Sequence, residues 1–226
     1  MIRFESVRHR YGERVVLDGV DLELTERRIG VVGANGSGKS TLARMVNGLV
    51  VPTEGRVTVA GLDTRTDGSA VRRRVGFVFT DPDAQIVMPT VAEDVAFSLR
   101  RSGLSAEERE RRVADVLDRF GLADHADHPC HLLSGGQKQL LALASVLVTE
   151  PDVLVLDEPT TLLDLRNARR IAALIRDLPQ QVLLVTHHLE LLDGFDRVLV
   201  VDEGRIVADG PLDTVLPAYE SRMTLP

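Results

Sequence analysis

Residues 33–41 read Gly-Ala-Asn-Gly-Ser-Gly-Lys-Ser-Thr, and far downstream Asp157-Glu158 closes an apolar run. Between them stands Leu133-Ser134-Gly135-Gly136-Gln137. Gly33, Gly36 and Gly38 let a backbone turn tightly and approach phosphate without side-chain clash, so that successive N–H groups and a following helix N-terminus face negative charge. Lys39 adds a flexible cation for β- and γ-phosphates, and Ser40 offers a hydroxyl to Mg²⁺. The candidate phosphate-binding set is therefore Asn35, Gly36, Ser37, Gly38, Lys39, Ser40 and Thr41. Asp157 is suited to hold Mg²⁺ through a water, and Glu158 to polarise the water that attacks a γ-phosphate.

Such groups need rigid elements to position them. The run Ile29–Val32 enters the glycine loop as a buried strand would, and Lys39–Leu49 places Leu42, Met45, Val46 and Leu49 on one helical face. Val153–Asp157 predicts a strand that delivers its carboxylates at the carboxyl edge of an open sheet, where ligands collect. Further strands are expected at Ile2–Val7, Val20–Leu24, Arg56–Ala60, Val75–Thr80 and Val182–Thr186, and a closing hairpin at Arg197–Asp202 and Arg205–Ala208. From Asp81 to Cys130 the character shifts to charged helical stretches, Ala92–Arg101 and Ser105–Phe120, bounded by prolines and glycines. Helices at Gly135–Val148 and Leu163–Asp177 then restore the alternation that favours a mainly parallel sheet. The short tail, with Pro211, Pro217 and Pro226, leaves no room for a second domain.

The 226 residues are long enough for a full core, and a net charge of −7 argues against an extended basic face for nucleic acid. Cys130 is the only cysteine, which rules out an intrachain disulfide and suits a reducing compartment. The apolar runs are strand-sized, well short of the roughly 20 residues that cross a bilayer, and no secretory signal opens the chain. A membrane process would be served from the cytoplasmic side. Pro129 breaks any common helical face of His125, His128 and His131, so that cluster reads as a turn and not a metal site.

With the glycine loop and Asp157-Glu158 in place, Ser134-Gly135-Gly136-Gln137 resembles the signature of the ATP-binding cassette family, over about residues 2–210. The resemblance implies an α/β P-loop NTPase (RecA-like) core with an antiparallel β subdomain, residues 1–80 and 131–226, and an inserted helical subdomain, residues 81–130. It implies two ATP molecules sandwiched in a head-to-tail homodimer, where the signature of one subunit covers the γ-phosphate held by the loop of the other. Tyr11 matches the aromatic that stacks on adenine, His187 the histidine that senses the γ-phosphate, and Asp164, within Leu162-Leu163-Asp164, the dimer-contacting loop. The family's metal-touching glutamine after the strand at Val75–Phe79 is replaced here by Thr80, and Gln85 lies five residues later. Thr80 and Gln85 are the two candidates for that part.

The stretch Asp81–Asp94 resembles the ATPases of energy-coupling-factor importers, which grip a membrane-embedded coupling subunit at this turn. Ile86, Val87 and Met88 would supply an apolar grip, Met88 being adaptable in shape; packing of the subdomain core is the competing use. The runs Phe79–Gln85 and Pro159–Leu165 are similar to the ATPases of bacterial biotin importers, with cobalt and nickel importers carrying close relatives. The implied partners are a coupling subunit and a substrate-binding membrane subunit. No residue of this chain is expected to touch the transported molecule.

Overall fold

The computed structural model describes residues 1–161 and 163–223. Strands β1 (Ile2–Tyr11), β2 (Arg14–Leu24) and β3 (Arg28–Val32) precede helix α1 (Lys39–Val46), followed by β4 (Glu54–Val59), β5 (Leu62–Asp63) and α2 (Gly68–Arg74). Then come β6 (Val75–Val78), α3 (Val91–Ser98), α4 (Ala106–Arg119), α5 (Gly135–Leu147), β7 (Val153–Asp157) and α6 (Leu165–Asp177). The last elements are β8 (Gln181–Val185), β9 (Arg197–Asp202), β10 (Arg205–Gly210) and α7 (Leu212–Met223).

These fall into two compact units, one of residues 1–75, 152–158 and 179–226 and another of residues 76–151 and 159–178. In the first, an antiparallel sheet runs β2-β1-β4-β5, and a second sheet carries β10-β9-β3-β8-β7 in that order. β3 pairs in parallel with both β8 and β9, β7 pairs in parallel with β8, and only β10 runs antiparallel, against β9. Every residue of β3 and β7 is buried, as expected of strands covered on both faces, whereas β1 buries Ile2, Phe4 and Val7 on one side. Leu42, Met45 and Val46 of α1 are fully buried with Ala43 beside them, so three of the four residues of the predicted apolar stripe form its packing face, whereas Leu49 lies beyond the helix and is exposed. The helix ends at Val46, earlier than the predicted Leu49, because Gly48 takes a positive φ of 70°.

The second unit is helical apart from the short β6. It takes in α5 and α6 as well as α3 and α4, a division different from the expected insertion at 81–130. α5 buries nine residues from Gly136 to Leu147 and packs against α3 and α4. Ser105 and Asp164 cap α4 and α6, so the predicted Ser105 and Leu163 starts shift inward to Ala106 and Leu165. β6 stops at Val78, short of the predicted Thr80, because side chains take over its next residue: Gln85 Oε1 accepts the Phe79 N–H at 3.2 Å.

Two helices and a strand appear where the sequence pattern predicts none. α2 buries a single residue, Val71, too few for a helical period to register, and β5 is two residues long. α7 carries Pro217 inside it, yet buried Val215 docks this helix on β9 and β10. Tertiary packing there outweighs the local penalty of proline.

Candidate active site

Parallel neighbours β3, β8 and β7 end side by side, so three loops meet at one carboxyl edge. β3 leads into the glycine loop, β7 ends at Asp157, and β8 is followed by Thr186 and His187. The loop's shape depends on its first glycine: Gly33 has φ 150°, and a Cβ there would lie 2.0 Å from the Val201 carbonyl oxygen. Backbone, not a movable side chain, occupies that space, so only glycine fits.

Lys39 is buried, and its ammonium donates to the carbonyls of Gly33 at 2.9 Å and Ala34 at 2.8 Å. Burial lowers its pKa, against the upward pull of the Glu158 and Asp157 charges. Ser40 Oγ donates to Asp157 Oδ1 at 2.8 Å, and Arg44 reaches Asp157 Oδ2 at 3.4 Å. Ser40 and Arg44 are i and i+4 on α1, so one helix face delivers both to the same carboxylate. Asp157 is 1% exposed, and its burial raises its pKa despite these partners. The Ser40 hydroxyl and Asp157 carboxylate are hard oxygen donors on adjoining elements, the donor chemistry Mg²⁺ requires.

Glu158 adopts φ 54°, a left-handed conformation that costs a non-glycine residue about 1–3 kcal/mol. Its N–H donates to the Val185 carbonyl at 3.0 Å, which ties the strained residue to the end of β8. Its Oε2 lies 2.8 Å from His187 Nδ1, so the two predicted catalytic residues form a pair. The His187 ring also lies against that of His188, tilted by 38° with centroids 4.1 Å apart. Tyr11, Asn35, Gly36, Gly38, Lys39, Ser40, Thr41 and Glu158 line one open pocket of about 380 Å³. Ser37 is buried beneath the loop and does not line it. Two residues the motif analysis passed over, Arg14 and Val16, complete the wall. Arg44 was also passed over, although its i+4 spacing from Ser40 was a usable signal.

The signature residues belong to the helical unit. Ser134 Oγ accepts the Gln137 N–H at 3.3 Å while Gln137 Oε1 accepts the Ser134 N–H at 2.9 Å, a capping box at the start of α5. Gln137 Nε2 also meets His125 Nε2 at 2.8 Å, so the side chains of Ser134 and Gln137 are engaged locally. Gly136 packs against Asn167: a Cβ there would stand 2.6 Å from Asn167 Cγ. Asn167 in turn donates from its backbone to Asp164 Oδ1 at 2.8 Å and from its side chain to Asp164 Oδ2 at 3.1 Å. Thus the signature glycine and Asp164, distant in sequence, share one intermediary. Leu162 of the expected dimer loop lies outside the described residues.

Gln85 spends its amide within this unit, accepting from Phe79 and donating to the Ala142 carbonyl at 3.4 Å. Thr80 is half-buried and also engaged. His125 and His128 lie ring against ring at 4.9 Å, and Cys130 is buried. No helix among the described residues is long and apolar enough to cross a membrane.

Residues 17–161 match the family model described as ABC transporter. The chain is 56% identical over 226 residues, the whole of both sequences, to a putative ABC transporter ATP-binding protein of Deinococcus radiodurans. It is 50% identical over 218 residues to the biotin transport ATP-binding protein BioM of Rhizobium etli, covering 96% of this chain and 97% of that one. A solved dimeric ATP-binding cassette, in a post-hydrolysis state with ADP and phosphate bound, matches with a TM-score of 0.82 at 29% identity, over 94% of this chain and 99% of the other.

Proposed function

The chain belongs to the ABC transporter family and is an ATPase, and from that premise we propose that it energises an energy-coupling-factor importer of biotin. The observation that carries the catalytic part is the meeting of the glycine loop, the Ser40–Asp157 contact and the Glu158–His187 pair at one sheet edge. Tyr11 receives the adenine, and residues Asn35 to Thr41 hold the phosphates. Ser40 and Asp157 would hold Mg²⁺, and an ion bound there would offset phosphate charge; the expected further contact from Thr80 is the one that a Thr80→Ala variant tests. Glu158 accepts a proton from the attacking water as its oxygen bonds to the γ-phosphorus and ADP leaves with the bridging oxygen. His187 holds that carboxylate in place and reads the γ-phosphate.

One chain contains both the loop and the signature, so two copies arranged head to tail suffice for two complete sites. Ser134, Gly135, Gly136, Gln137 and Asp164 of one copy then face the nucleotide of the other, the glycine N–H groups and the α5 N-terminus serving the anion. The solved neighbour that is itself dimeric supports this arrangement, and the relative named as a biotin transport protein supports the cargo. Closing and opening of the dimer become work on a coupling subunit docked at residues 80–94, on the cytoplasmic face of a bacterial membrane. A substrate-binding membrane subunit carries the vitamin, which this chain does not touch.

The test is Glu158→Gln. Turnover should fall about 100-fold or more, and size-exclusion chromatography with ATP should show a trapped dimer. Full phosphate release by this variant would remove Glu158 from its role. Co-purification from solubilised membranes, with uptake assays for biotin and cobalt, tests the cargo; cobalt uptake without biotin uptake would refute it.

A further inference from the structure

The β1–β2 hairpin turns through Gly12-Glu13, with Gly12 at φ 57°, and pairs Tyr11 directly with Arg14. Arg14 therefore reaches the same pocket as Tyr11, from the same hairpin. A Cβ on Gly36 would stand 3.5 Å from Arg14 Nη2, so the guanidinium lies over the middle of the glycine loop. On neighbouring strands Arg8 pairs with Asp18, Arg56 with Glu5, and Arg197 with Asp209 and Glu26. Among the described residues, Arg14 has no carboxylate or carbonyl partner.

The charge of the pocket makes this arginine significant. Lys39 is its other cation, and that ammonium already donates to two loop carbonyls. Glu158 in the pocket wall offsets that charge, and Asp157, bonded to Ser40, is paired with Arg44. A triphosphate adds several more negative charges, and a planar guanidinium offers paired N–H donors suited to phosphate oxygens. We infer that Arg14 is a further nucleotide-binding residue, a second cation delivered to the triphosphate by the hairpin that carries Tyr11. This rests on the nucleotide site proposed above and adds a contact outside the glycine loop.

The test is equilibrium binding of a fluorescent ATP analogue to the purified full chain, with ATP and adenosine as competitors. Arg14→Ala should weaken ATP about tenfold, the loss of one charge-assisted contact. It should leave adenosine unchanged, and Arg14→Lys should recover part of the loss. Arg73→Ala, on α2 away from the pocket, removes the same net charge and should bind ATP as the wild type does. The inference is overturned if Arg14→Ala binds ATP like the wild type, if it loses ATP and adenosine equally, or if Arg73→Ala loses as much. Lys39→Ala separates the two levels. If it too binds ATP normally, the nucleotide site itself is elsewhere; if it alone loses ATP, only the role of Arg14 fails.

Discussion

Replacing Asp94 with Ala should loosen the turn at Val87–Met88. Asp94 is 3% exposed on α3, and its Oδ1 accepts the N–H groups of Val87 at 2.8 Å and Met88 at 3.0 Å. Its Oδ2 accepts the hydroxyl of Ser145, on α5, at 2.9 Å. One carboxylate thus joins the turn proposed to grip a membrane partner to the helix that begins with the signature. Hydrogen bonds to a charged group contribute about 1.5–3 kcal/mol each, so a simple sum over three would exceed 4 kcal/mol. Two effects reduce it. Val87 is 61% exposed, so water can replace Asp94 at the turn amides, and removal relieves the desolvation of a buried charge. Ser145, 6% exposed, has no such relief. The expected net loss is about 2–4 kcal/mol for Asp94→Ala. Asp94→Asn keeps an acceptor for both amides and should lose about 1 kcal/mol. Urea unfolding gives the total, and hydrogen exchange gives its location: the Val87 and Met88 amides should exchange at least about tenfold faster in the Ala variant. Unchanged exchange at those two amides, with stability within about 0.5 kcal/mol of wild type, would refute the argument.

Gly136→Ala drives a Cβ to within 2.6 Å of Asn167, a side chain that can swing away, so the protein should fold with a loss of about 1–2 kcal/mol. Because Asn167 would release Asp164, ATP turnover should fall more than stability does; equal activity to wild type would separate Asp164 from the signature. Gly33→Ala meets the Val201 carbonyl instead, and ATP binding should be lost, as a titration would reveal. Burial, with the Asp94 charge second, pushes the Cys130 thiol pKa up, so less thiolate exists near neutral pH than in a free cysteine. Iodoacetamide should label the native chain far more slowly than the urea-unfolded one, and equal rates would contradict the buried position.

The glycine loop, Asp157-Glu158 and the strand before each were legible because their chemistry depends on residues adjacent in sequence. The strands at Ile29–Val32 and Val153–Asp157 carry continuous apolar runs whose burial on both faces leaves no alternative period. The start of α5 was legible from its Ser134–Gln137 capping box, whereas α4 and α6, also capped by side chains, begin at Ala106 and Leu165, just inside their predicted starts. α2 and α7 were not legible, since one holds a single buried residue and the other contains Pro217 and is held by docking. The position of Gln85 was equally hidden: five residues from Thr80 in sequence, its amide is spent on Phe79 and Ala142.

By itself the sequence determined the donor set: glycines that free the backbone N–H groups, one lysine, one serine and two carboxylates, each following from residue type and local spacing. Tertiary structure alone decided which of them meet. The parallel order β3-β8-β7 brings His187 to Glu158, α1 brings Ser40 and Arg44 to Asp157, and the hairpin brings Arg14 over Gly36. Pairing between strands far apart in the chain is set by burial of their shared faces, and no local pattern encodes which neighbour a strand will find.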